Sequence, residues 1–370
     1  MKFIKITLTI LLVVFTYNLR AQQFLTLDKK ILSLRKQAHQ SICLLKNENN
    51  LIPIKNLNQN IACLSIGCDT INTFQNRISD YSLVPHFNIR KTESAATLQQ
   101  LKNKLKKFNL VIVSFHNLHE SPRKAYGITA QMDELFKFAV DSLPSIIAIF
   151  GTTNSLNIFN GATEAKTLLI SSADSIEYQD FAAQIIFGGM PAIGKLKIDE
   201  NGSFKNGGGL QTKEVIRFSY QLPEELGLNS EFLNTKIDSI ANKGIEKGAF
   251  PGCQILAAKN GAIFFHKTYG FHTFDSITSV KKSDLYDFAS VTKITGPLPA
   301  LMKLYDEGKF NLDTSFASYW PDFKHSNKKE IIVREVLAHQ AQLQPYIAFW
   351  KNAYKKNGKF RFHTFKPDST

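Results

Sequence analysis

Four short runs in the first half of the chain, Ile61–Ile66, Leu110–Phe115, Ser145–Phe150 and Thr167–Ser171, are apolar almost throughout and rich in β-branched residues. A strand with no polar alternation is buried on both faces, so its sheet must be covered on both sides. Between the first two runs, Leu98, Leu101, Leu105 and Phe108 recur at spacings of three and four, which gives a helix one apolar face. Gln131–Leu143 and Ile176–Phe187 supply further helices. Buried strands alternating with helices predict an α/β layer built on a largely parallel sheet over residues 28–200.

The stretch Asn201-Gly-Ser-Phe-Lys-Asn-Gly-Gly-Gly209 breaks every periodicity, so residues 201–219 read as a link between two modules. The second module runs over 220–370. Ser230 is expected to cap a helix with apolar positions at Leu233, Ile237, Ile240, Ala241 and Ile245, ending at Gly248 with Pro251 beyond. Gln254–Ala258 and Ala262–His266 flank Asn260-Gly261, the strongest short hairpin signal, because a tight primed turn needs positive φ. No internal repeat is present.

Lys2 and Lys5 precede an apolar run from Ile6 to Tyr17, and Leu19-Arg20-Ala21 closes on a small residue. That order predicts a secretory signal peptide over residues 1–21, hence a periplasmic or secreted protein with no stable membrane span after its removal. Lys and Arg exceed Asp and Glu to give a net charge of +14 in the 370 residues; losing Lys2, Lys5 and Arg20 leaves +11. An exported basic protein is expected to meet anionic envelope polymers rather than nucleic acid. Of Cys43, Cys63, Cys68 and Cys253, the first two sit in apolar runs and read as small core hydrophobes. With no Cys-x-x-Cys pair, no structural metal is expected, and no cofactor.

Three motifs compete for chemistry. Gly189-Met-Pro-Ala-Ile-Gly194-Lys195 matches a phosphate loop until Leu196, where Ser or Thr should hold magnesium. Its flanks are reversed too, with a helix before it and a strand-like Lys195–Ile198 after, so it reads as a turn. His116-x-x-His119-Glu120 follows a strand and lacks the helical spacing of a zinc motif, so it reads as a solvated loop. Ser290-Val-Thr-Lys293 remains. On a helix, positions i and i+3 share a face, so the amine can reach the hydroxyl. As nucleophile and general base, Ser290 and Lys293 would follow the Ser-x-x-Lys logic of acyl transfer. Four other Ser-x-x-Lys pairs occur, Ser33/Lys36, Ser121/Lys124, Ser279/Lys282 and Ser326/Lys329, so context must single one out.

Tyr286-Asp-Phe-Ala-Ser290-Val-Thr-Lys293 resembles the nucleophile segment of the β-lactamase-like serine hydrolases, of penicillin-binding, class C type. Downstream, Leu301–Asp313 is similar to that family's helix and turn, and Glu330–His339 to the segment leading into its His-x-x-Gly-Leu element. Here Gln342 stands where the family often has glycine, and Pro297 and Pro299 require a short or kinked helix after the motif. The family also uses a Tyr-x-Asn or Tyr-Ser-like element and a Lys/His-Thr-Gly strand. No Tyr-x-Asn follows Ser290, and the one Thr-Gly, Thr295-Gly296, lies too near it. The resemblance therefore implies the N-terminal part of such a domain, with sheet edge and core left exposed.

Arg35–Ile54 resembles the opening of the glycoside hydrolase family 3 carboxy-terminal domain, and Gly189–Ile198 its last turn and strand. The combined expectation is a parallel-sheet α/β sandwich followed by a partial β-lactamase/transpeptidase-like α+β domain. It implies an exported serine hydrolase acting on cell-wall peptide or glycan-like material. The alternatives are a glycoside hydrolase family 3 (β-N-acetylglucosaminidase-like) fragment and a non-catalytic glycan-binding remnant. Glycoside hydrolysis needs two positioned carboxyl groups, and no such pair can be named.

Overall fold

The computed structural model describes residues 29–198, 203–213 and 215–361. The expected signal peptide at 1–21 lies outside the described residues. The chain divides into two compact units, Met1–Ser283 and Asp284–Thr370.

The first unit holds a six-stranded sheet. Its strands are β1 (Cys43–Asn47), β2 (Ile61–Ile66), β3 (His86–Ile89), β4 (Leu110–Phe115), β5 (Ser145–Phe150) and β6 (Thr167–Ser171), in the order β1-β6-β5-β4-β2-β3. All neighbours pair in parallel except β1 with β6. Every residue of β2, β4 and β6 is buried. Because strand side chains alternate between faces, the two sides of the sheet carry different cores. Leu64, Ile66, Val111, Val113 and Ile147 meet α3 (Ala95–Leu105) and α4 (Ala130–Ser142). Cys63, Ile112, Ile146 and Phe150 meet a helix over 29–41 (α1), α2 (Thr73–Tyr81) and α5 (Ile176–Phe187). From Tyr178 to Phe187 only Gln179 of α5 escapes burial, and the helix stops at Gly188, whose φ of 74° suits a residue without Cβ.

The same unit carries a three-stranded sheet, β7 (Ser219–Tyr220), β8 (Gly252–Lys259) and β9 (Ala262–Gly270), in the order β7-β9-β8. The hairpin turns at Asn260 and Gly261, with φ of 52° and 76°, the pair of left-handed residues that a primed turn demands. Helix α6 (Ser230–Glu246) docks on β9: Asp238 accepts from Tyr269 Oη at 2.5 Å and pairs with Lys267 at 3.1 Å. The Tyr269 hydroxyl is the main cause of an Asp238 carboxyl held below its ordinary range.

Two details differ from the sequence reading. Ser230 is the first residue inside α6; Asn229 is its cap, with Oδ1 accepting from the Phe232 amide at 2.7 Å. Lys195–Ile198 is not a strand of the sheet, because the slot beside β6 belongs to antiparallel β1. Instead, the Leu196 amide donates to the Gly208 carbonyl at 2.8 Å and its carbonyl accepts from Gly207 at 2.7 Å, while its side chain still fills the core.

The second unit contains α7 (Thr292–Thr295), α8 (Pro297–Asp306) and α9 (Val333–Leu337), joined by short 3-10 turns. Among its described residues only Ala317 and Val333 are buried apolar side chains. No helix among the described residues is long and apolar enough to cross a membrane.

All four cysteines are free thiols. Cys43 and Cys63 are buried, as their apolar runs predict; burial pushes the Cys43 thiol up to about 11 and that of Cys63 up further. Cys68 and Cys253 are only half-buried. Ellman's reagent at neutral pH is therefore expected to titrate Cys68 and Cys253 in the native protein and to reach Cys43 and Cys63 only after denaturation.

Candidate active site

The second unit presents Ser290 on a tight turn. Asp287 Oδ1 accepts from the Ala289 amide at 2.8 Å, Ala289 adopts φ 43°, and Ala289–Val291 forms a 3-10 turn that runs into α7. The three-residue advance brings Lys293 back over Ser290, and Lys293 Nζ donates to Ser290 Oγ at 3.0 Å. Both side chains are exposed. Helix α7 lasts four residues before Gly296 leaves helical geometry, and Pro297 opens α8 at its first position, where a missing N–H is harmless.

The other four Ser-x-x-Lys pairs fall within the described residues, and none of them shows a serine–lysine side-chain hydrogen bond. Ser33/Lys36 lies along α1, where side chains three apart need not meet head to head. Ser326 Oγ instead donates to the Phe323 carbonyl at 2.8 Å. Identical spacing thus yields one pair in contact out of five.

Downstream, Arg334 grips Asp313 with two parallel bonds, Nε–Oδ1 at 2.7 Å and Nη2–Oδ2 at 2.9 Å, tying the turn after α8 to α9. That guanidinium holds the Asp313 carboxyl below the usual range. Gln342, where the resemblance expects glycine, has φ 52°, so the left-handed conformation survives with a side chain in place.

A second polar cluster sits in the first unit, at the carboxyl ends of β2 and β4. His116 is fully buried rather than part of a solvated loop: its ring stacks on Phe150 at 4.7 Å, Nδ1 lies 2.9 Å from Asp174 Oδ1, and Nε2 lies 2.9 Å from Ser114 Oγ. Ser114 also meets Ser65 Oγ at 2.9 Å, and Asn72 Nδ2 reaches Ser65 at 3.2 Å. The Asp–His–Ser order invites comparison with a nucleophile relay. However, Ser114 and His116 are both 0% exposed, so an acyl donor has no approach. The cluster satisfies buried polar groups at the carboxyl ends of the paired strands β2 and β4. His119 and Glu120 stay on the surface, away from this network, and no group of potential metal ligands forms among the described residues. No sequence signal links Asp174 to His116, 58 positions apart.

Comparison with known proteins bears on this geometry. Residues 237–363 match the profile of the β-lactamase family. The match begins inside α6, includes Ser290 and Lys293, and runs across the division between the two units. The chain is 31% identical over 127 residues to Protein flp of Staphylococcus aureus (strain NCTC 8325 / PS 47), covering 34% of this chain and 25% of that protein. It is 28% identical over 138 residues to an N-acetylmuramyl-L-alanine amidase of Bacillus subtilis (strain 168), covering 34% of this chain and 31% of that protein. The chain thus spans about a quarter to a third of the curated relatives it matches. Among solved structures, a glycoside hydrolase family 3 β-N-acetylglucosaminidase from Paenibacillus sp. str. FPU-7 is similar at TM-score 0.37 and 15% identity, covering 48% of this chain and 34% of that one.

Proposed function

We propose that the β-lactamase-family segment at residues 237–363 gives this chain a serine hydrolase activity, with Ser290 as nucleophile and Lys293 as its general base. The observation that carries the reading is the 3.0 Å contact between Lys293 Nζ and Ser290 Oγ, the one such contact among five equally spaced pairs. The neutral amine takes the hydroxyl proton as Oγ bonds to the carbonyl carbon of an amide or ester. The oxyanion so formed is received in part by the Ser290 amide. Collapse breaks the bond to the leaving group, which takes the proton back from the ammonium, and water then hydrolyses the serine ester. A lysine serves this role in its uncharged form, which burial or a neighbouring cation favours, so substrate closing over Ser290 assists the base.

The substrate class is a cell-wall peptide or related amide, supported by the amidase relative and by a positive charge, +11 without Lys2, Lys5 and Arg20, that suits anionic envelope material. A periplasmic or extracellular site of action belongs to the same proposal and rests on the signal-like amino terminus.

The test is covalent mapping. The full chain is incubated with a fluorescent fluorophosphonate and, separately, a fluorescent penicillin, then digested and sequenced by mass spectrometry. The expected adduct lies on Ser290. No adduct from either probe, or an adduct confined to another residue, refutes the proposal.

A further inference from the structure

The residue before Ser290 holds a backbone conformation that its own side chain cannot secure. Ala289 has φ 43°, in the left-handed region, where a Cβ crowds the following carbonyl oxygen. Asparagine reaches that region at lower cost, because its short polar side chain can bond to nearby backbone, and Asn49, Asn50, Asn117 and Asn260 adopt it in this chain. A methyl group offers no such bond, so Ala289 has to be held from outside.

Asp287 supplies that hold. Its Oδ1 accepts from the Ala289 amide at 2.8 Å, closing a turn over Phe288, whose φ of −78° and ψ of −7° are ordinary. On the far side of the serine, the Val291 amide donates to the Phe288 carbonyl, also at 2.8 Å. The two amides that flank the Ser290 N–H therefore have acceptors of their own. Ser290 is second in the Ala289–Val291 turn, and the first amides of a helical turn have no carbonyl partner within it. The Ser290 N–H is thus placed to receive an oxyanion. The peptide unit joining Ala289 to Ser290 sets both the direction of that N–H and the origin of the Oγ that Lys293 contacts at 3.0 Å.

We propose that Asp287 is a positioning residue for acyl transfer at Ser290: its side-chain oxygen holds Ala289 left-handed and so aims hydroxyl and amide together. The role rests on Ser290 being the nucleophile. Asp287 acts through the Ala289 backbone and takes no proton in the reaction. Attack needs aligned atoms about 3–3.5 Å apart, and a small rotation of one peptide unit is enough to lose that alignment. The hold requires an acceptor oxygen rather than a negative charge, so an amide oxygen serves in place of the carboxylate. Glycine at position 289 makes the hold largely dispensable, because without Cβ the left-handed region is as accessible as the right-handed one.

The test compares the full chain with Asp287→Ala, Asp287→Asn, and Asp287→Ala combined with Ala289→Gly. The measured quantity is the rate at which a fluorescent fluorophosphonate acylates Ser290. Asp287→Ala should slow acylation about tenfold, the effect of leaving one left-handed alanine unsupported. Asp287→Asn should keep most of the wild-type rate, and adding Ala289→Gly should return most of what Asp287→Ala loses. Amide hydrogen exchange gives a readout that does not depend on chemistry: the Ala289 N–H should exchange faster in Asp287→Ala than in the wild type or Asp287→Asn. With the wild type labelled on Ser290, an equally fast Asp287→Ala, an Asp287→Asn as slow as Asp287→Ala, or no recovery with glycine overturns the role of Asp287 alone. Equal exchange of the Ala289 N–H in all three proteins overturns it as well. A wild-type chain that takes no label refutes the nucleophile, and this role with it.

Discussion

Ser290→Ala in the full chain should abolish the fluorophosphonate adduct, and Lys293→Met should slow its formation by about 10²–10⁴-fold while leaving the fold unchanged. Ser290 Oγ is the hydroxyl that Lys293 Nζ contacts, so its loss removes the activated nucleophile. Loss of the amine leaves the hydroxyl in place but without a proton acceptor at 3.0 Å. Met keeps much of the stem's volume and shape and removes the nitrogen, which separates chemistry from packing. Lys293→Arg should fail to rescue, since a guanidinium stays protonated at any working pH and cannot accept the serine proton. Both side chains are exposed, so unfolding midpoints are expected to shift little. A Lys293→Met protein that is acylated at the wild-type rate would remove lysine from the mechanism while leaving Ser290 as nucleophile.

The largest expected effect on stability belongs to Asp180→Ala, in the first unit. Asp180 is 4% exposed on α5 and accepts from Arg35 Nη1 of α1 at 3.3 Å, from Arg77 Nε of α2 at 2.5 Å and from Gln184 Nε2 at 3.0 Å. The two guanidiniums also lie over rings, Arg35 over Phe181 at 4.6 Å and Arg77 over Tyr220 at 3.9 Å. Asp180 therefore bridges two guanidiniums where three helices meet. Removing one member of a buried ionic group costs about 3–5 kcal/mol, chiefly because charge is left behind. The low end, about 3 kcal/mol, applies here, because Arg35 keeps Glu225 at 2.8 Å and Arg77 keeps Asp80 at 2.7 Å. Urea unfolding followed by circular dichroism should show the midpoint fall. A drop well under 1 kcal/mol in the single variant would mean that water already solvates this cluster.

Much of the first unit can be read from its residues. Ile61–Ile66, Leu110–Phe115, Ser145–Phe150 and Thr167–Ser171 are strands with those bounds, and Ile176–Phe187 is a helix with those bounds. Each is long, apolar and bordered by residues that end it, so local preference and burial agree. β1 and the four-residue β3 were not legible. His86–Ile89 carries a histidine and an asparagine on a half-buried edge, and its pairing with β2 comes from the crossover through α2 rather than from its own pattern. Lys195–Ile198 shows the opposite case: its residues suit a strand, yet β1 holds the adjacent place, so the segment bonds to Gly207 and Gly208 instead.

At the candidate site, the residues alone place Ser290 and Lys293 one turn apart and end their helix before Pro297, because spacing and proline sterics act within a few residues. They equally mark Cys43 and Cys63 as core residues. Which of five identical Ser-x-x-Lys spacings brings amine to hydroxyl emerges only in the folded chain. The same holds for His116, which turns inward to Asp174 rather than out to solvent. The difference is one of range: periodicity and backbone sterics are set by near neighbours, whereas a side chain's partner and its access to water depend on segments brought together by chain crossovers.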